Sequence, residues 1–115
     1  MTPEDARKKI ESALLSEAES DFVGLWLLVK WVHEDMPAIE EAARRRIVLS
    51  IVHDAVEPGR LLIGDFVGTQ FVPWEASARD AVRRIEQAWG SLQGDPDIGD
   101  VAWLASPVLL GQAFL

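Results

Sequence analysis

Cysteine and tyrosine are both absent, and histidine and methionine occur only twice each. Without cysteine there can be no disulfide, no thiolate metal site and no sulfur nucleophile. Without tyrosine no phenol can donate a proton or hold an oxyanion. The sequence also lacks a Gly-x-Ser-x-Gly elbow and a glycine-rich phosphate loop, the signatures of acyl transfer and of nucleotide chemistry. Every reaction class needs a recognisable constellation of residues. None is visible, so the expectation is a protein that is not an enzyme, with no catalytic residue, no cofactor and no metal.

Long apolar runs are missing too. The most apolar tract, Phe22 to Val32, would be about 16 Å long as a helix, against ~30 Å for the hydrocarbon core of a bilayer. Lys30 interrupts it. The opening residues Met1-Thr2-Pro3-Glu4-Asp5 are polar and acidic, where a secretory leader needs positive charge and then an apolar stretch. These features predict a cytoplasmic protein without membrane contact.

Positive charge is scarce. Eleven bases face nineteen acids, for a net charge of −8. Residues 1–36 carry eight acids and four bases, residues 37–92 eight and seven, and residues 93–115 three acids and no base. Such a surface repels nucleic acid and anionic membrane in general, and favours a basic partner.

What the chain does have is apolar bulk. Hydrophobic residues make up 49% of its 115 positions, with five tryptophans spread along it; this suits a single domain around one core. Nine of the eleven residues from Phe22 to Val32 are hydrophobic. Trp26 and Trp31, five apart, would stand roughly 140° apart around a helix. One flat partner cannot cover both rings.

Periodicity predicts four helices. The first starts at Thr2-Pro3-Glu4-Asp5, with a capping hydroxyl, proline at the first helical position and early acids. Ala6, Ile10, Ala13, Leu14 and Ala18 form its apolar stripe. Ser20-Asp21 should break it and cap the second helix, the Phe22–Val32 tract. A third should run from about Pro37 to Ala55, stopped by Glu57-Pro58-Gly59. A fourth begins at Ser77, with Asp80 three residues on, and carries Ala81, Val82, Ile85, Ala88 and Trp89.

Arg60 to Phe66 reads as a strand, Phe71-Val72 as a short second one, and Asp100 to Ala105 as a third that could pair with Leu61–Phe66. The last strand avoids charge on both faces from Val101 to Ala105, so each face of the sheet needs cover. Helices one to three should supply one layer and helix four the other. The fold class is therefore a helix-rich α+β single domain spanning residues 1–115, in the order ααα-β-β-α-β, with a small antiparallel sheet. Its middle portion, residues 21–74, resembles a winged-helix arrangement, in which a third helix leads straight into a hairpin. That resemblance is architectural and implies a possible DNA-binding regulator.

Five groups are candidate sites. Arg44 and Arg45, with Arg46, form a basic run on helix three; Arg83 and Arg84, with Arg79, form a second on helix four. Both are what a nucleic-acid interface would use. Glu40 and Glu41 precede Arg44 and Arg45 by four residues, and Asp80 precedes Arg84 by four, the favoured order for helical ion pairs. Ordinary solvated faces therefore explain both runs, and nucleic acid is not the expected partner. His33 and His53, each followed by acid, could join carboxylates in a small enzyme or metalloprotein site, although no His-x-x-x-His spacing supports it. Asp95-Pro96-Asp97-Ile98-Gly99-Asp100 lacks the calcium-loop register and reads as a turn. The apolar tail Pro107 to Leu115 carries no charge and would leave a sizeable patch in water unless it docks.

These features predict an interaction or regulatory domain that works by protein–protein contact. The expected assembly is a homodimer built on Trp26, Trp31, Leu109, Leu110 and Phe114, and one specific form is an inhibitor or immunity-type protein for a basic partner.

Overall fold

Thr2 opens the first helix as its sequence predicts. In a computed structural model of the chain, which describes residues 2–112, the Thr2 hydroxyl accepts from the Asp5 amide while the Asp5 carboxylate accepts from the Thr2 amide. This reciprocal box satisfies amides that the first turn would otherwise orphan. Helix α1 (Pro3–Ala18) then buries Ala6, Ile10, Leu14 and Ala18, one row at i+4 spacing.

The second helix differs from expectation at its start. Val23–Gly24 forms a short strand, β1, and α2 runs over Leu25–Asp35 with Gly24 as its N-cap. Ser20-Asp21 is therefore not the cap. Gly24 is a weak helix former, and its backbone pairs with Trp103 instead. Residues 37–40 form a turn, in which the Ile39 amide donates to the Met36 carbonyl. Helix α3 (Glu41–Val56) thus begins four residues later than the sequence suggests.

Next come strands β2 (Leu62–Val67) and β3 (Gln70–Pro73), joined by a two-residue turn whose Gly68 has φ 64°. Glycine meets the positive φ that tight hairpin turns demand. Helix α4 (Ala78–Gly90) follows, with the Ser77 hydroxyl accepting from the Asp80 amide. Strand β4 (Trp103–Ala105) and a short helix, α5 (Pro107–Gln112), complete the described chain. The fold is α+β and helix-rich. The α3-to-hairpin order is compatible with a winged-helix arrangement, and the likeness extends no further than that order.

The sheet is antiparallel throughout, in the order β1-β4-β2-β3. The anticipated pairing of the last strand with β2 is present, in the register Ile63↔Leu104. Val23, Leu104 and Ile63 form one cross-strand row and are all buried. Helices α1, α2 and α3 pack on one another above this face, and α4 packs on α3.

Helix α4 was expected across the sheet, as a second layer. It lies instead on the same side as the others. Asp65 shares the face of Ile63, two residues away, and its carboxylate meets Arg84 of α4 at 3.2 Å. The apolar stripe of α4, Ala81, Ile85 and Trp89, finds its cover on α3. The opposite face of the sheet must then be filled by something else.

Candidate functional site

Side chains alternate across a strand, so the row after Val23–Leu104–Ile63 faces the other way. That row is Gly24, Trp103, Gly64 and Pro73. Two residues along β2, Phe66 pairs with Phe71 on the same face. Phe22, just ahead of β1, joins them.

The rings form one connected group. Centroid separations are 4.9 Å for Phe22–Phe66, 5.4 Å for Phe22–Phe71, 6.0 Å for Phe66–Phe71 and 5.1 Å for Phe66–Trp103. Three of the four meet edge to face, the geometry that ring quadrupoles favour, worth about 0.5–1.5 kcal/mol per pair beyond area burial. Trp26 lies on the same face. A Cβ built on Gly24 would come within 2.6 Å of the Trp26 Nε1 and 3.4 Å of Trp103. Two tryptophans and three phenylalanines thus share the sheet face that the helices leave open. Phe71 is 9% exposed, and the other four are half-buried.

Pro73, opposite Gly64, is an exposed position of this face. Val67, one residue past Phe66, points to the other side with Asp65 and is 68% exposed; Ile98, in the loop ahead of β4, is 69% exposed. Strand β4 runs antiparallel to β2 and begins opposite Gly64. The loop carrying Ile98 therefore enters the sheet from the hairpin side. Asp21 precedes Phe22 and accepts its amide hydrogen. Asp97 and Asp100 lie in the entry loop, where the Asp97 amide donates to the Asp100 carboxylate. Asp95 in the same loop pairs with Arg44 at 3.7 Å.

That loop is held under strain. Val101 has φ 72°, and the Ala102 amide donates to the Asp100 carbonyl at 2.9 Å. This closes a three-residue turn of the rare positive-φ kind, which a β-branched residue resists. The turn sets the direction in which the chain delivers Trp103.

The residues named from sequence are scattered. Trp26 joins the aromatic face, while Trp31 lines a separate groove with Lys9, Ile10 and Ala13 of α1. Leu109 and Leu110 are half-buried on α5, whose neighbour Val108 sits near Leu15 and Arg60. Phe114 lies outside the described residues. The four described positions lie in three separate places.

The arginines are mostly engaged within the fold. Arg44 takes Asp95 rather than Glu40. Arg45 keeps its helical partner Glu41 at 3.8 Å and lies over the Trp89 ring at 4.9 Å. Arg84 takes Asp65 rather than Asp80, and stacks on Trp74 at 3.9 Å. Arg83 is exposed. Tertiary partners thus replace two of the three anticipated helical pairs.

His33 is exposed in the last turn of α2. His53 sits between Asp54 and Glu57, at 3.4 Å from each. Among the described residues no group of three or more His, Asp or Glu side chains is placed to hold a metal ion. Asp54 belongs to a structural network: Arg7 of α1 bonds both its carboxylate and the Ser50 hydroxyl. That Arg7 hydrogen bond holds the Asp54 carboxyl below the usual carboxylate range; slight burial opposes it, and His53 adds to it.

Phe22, Phe66, Phe71 and Trp103 went unrecognised as a group in the sequence. The available signal was period two: Gly64 and Phe66 alternate with Ile63 and Asp65, and Trp103 alternates with Leu104. No family model, no curated protein and no solved structure matches the chain.

Proposed function

We propose that this is a non-enzymatic protein-interaction domain that docks a basic partner protein on the aromatic face of its sheet. One observation carries the reading: five aromatic side chains, four of them half-buried, gather on the face the helices leave open. Tryptophan supplies much of the binding energy at protein interfaces, and rigid rings lose little conformational freedom on docking. Charge selects the occupant. A second copy would carry the same net charge of −8, with Asp21 beside Phe22, and like charges across an interface oppose pairing. A partner with an apolar centre and basic surroundings meets no such penalty. This agrees with an inhibitor-type role, in which an acidic protein covers a basic surface.

The DNA-binding reading loses support from the engagement of Arg44, Arg45 and Arg84 with internal carboxylates, since phosphate contacts require free cations. The test is calorimetric titration with a synthetic peptide of alternating Lys and Leu, and with its Glu and Leu counterpart, at low and moderate salt. The expected result is saturable binding of the Lys peptide that weakens with salt, and none of the Glu peptide. Equal binding of both peptides, or of neither, overturns the proposal. So does a dimer in light scattering that the Pro73→Lys substitution, on this face, dissociates.

A further inference from the structure

The end of α3, the start of β2 and the link from β3 to α4 enclose a cleft of about 410 Å³. It is distinct from the aromatic face, and its volume falls within the range of ordinary small-molecule sites. Its apolar wall includes Val56, Ile63 and Trp74. Trp74 is fixed in place, because its Nε1 donates to Asp65 at 2.7 Å and Arg84 lies against its ring.

Two opposite charges also line this cleft, Glu57 and Arg79, and both are exposed. They do not pair with each other. Glu57 has His53 Nε2 at 3.4 Å, a charged contact only when that ring is protonated. Arg79 has no carboxylate partner among the described residues. One cation and one anion therefore share a cleft with a rigid apolar wall.

We propose that the cleft binds a small zwitterion with an apolar side chain, such as a free hydrophobic amino acid. The Arg79 guanidinium matches a carboxylate with two parallel donors. Glu57 accepts from the ammonium group, and Trp74 and Ile63 cover the side chain. A purely anionic ligand would face Glu57, and a purely cationic one Arg79. Because both charges are solvated, the affinity is of millimolar order.

The test is an amide and indole NMR titration with L-phenylalanine, 3-phenylpropionate and phenethylamine. L-Phenylalanine should shift the Trp74 indole signal and the Ser77–Arg79 amides saturably, and should bind about tenfold more tightly than either single-charge analogue. Arg79→Gln and Glu57→Gln, both at exposed positions, should each lower its affinity by about that factor, while leaving the rest of the spectrum in place. Equal binding of all three compounds overturns the assignment. No saturable shift by about 10 mM, a concentration well above the expected constant, does so as well, as does wild-type affinity in Arg79→Gln. Binding of the Lys–Leu peptide, which concerns the other face, is unaffected by either result.

Discussion

The indole of Trp26 lies so close over Gly24 that a single added methyl would come within 2.6 Å of its Nε1. Gly24→Ala should therefore push the ring off the sheet, at a cost of about 1–3 kcal/mol in denaturant unfolding. Gly64→Ala should cost more. There the added carbon meets the Val72 carbonyl and the Pro73 backbone, and a strand cannot rotate away as a side chain can. If Gly64→Ala proves the milder of the two, the close packing described for this face is wrong.

Val101 predicts a reversal of an ordinary rule. Alanine normally exceeds glycine in stability by about 0.5–1 kcal/mol, because glycine is freer in the unfolded chain. At φ 72° the strain of a side chain, on the order of 1–3 kcal/mol, works the other way. Val101→Gly should melt higher than Val101→Ala. The usual order, with alanine the more stable, would mean that the turn relaxes.

Asp54 links α1 to α3 through Arg7, and its lowered pKa fixes the sign of a pH effect. The folded value lies below the ordinary 3.8. The pair therefore stabilises the fold fully above that value, and the contribution fades as pH falls through the folded pKa. Asp54→Asn should lower stability at neutral pH and flatten the decline on acidification below about pH 4. The effect is modest, since the Asp54 side chain is 46% exposed and solvent screens such pairs. Chemical denaturation of both proteins at a series of pH values reads it directly. Parallel curves would contradict it.

An exposed position tests the aromatic face without disturbing the core. Pro73, opposite Gly64 on that face, is such a site, and Pro73→Lys should weaken Lys–Leu peptide binding by about three- to tenfold at low salt, through like-charge repulsion. Val108, 51% exposed on α5, supplies the control. Val108→Lys should leave the affinity unchanged. An equal loss in Val108→Lys would show that only overall charge matters.

The helices were legible because each carries a local signal: Thr2 with Asp5, Ser77 with Asp80, and apolar residues at i+4 such as Ile10, Leu14 and Ala18. The hairpin and the pairing of β2 with β4 were legible as well. Strand β1 was not, because Val23-Gly24 sits inside an apolar tract whose composition equally suits a helix. Its strand character comes from Trp103 and Leu104, eighty residues away in the chain. Helix α5 was likewise hidden in an uncharged tail. The sequence indicated that both faces of the strands needed cover but not that the second cover would be the strands' own rings. The 140° between Trp26 and Trp31 did predict two separate environments, the sheet face and the α1 groove. Arg44 and Arg84 were misassigned because Asp95 and Asp65 reach them only through the fold.

Five indole N–H signals, from Trp26, Trp31, Trp74, Trp89 and Trp103, give a direct map of where a partner sits. They are best followed in one NMR titration with the Lys–Leu peptide. The aromatic-face account predicts that Trp26 and Trp103 shift together and saturate, while Trp89, 1% exposed in the core, and Trp31 stay in place. Movement of Trp31 with Trp26 and Trp103 unchanged would contradict it.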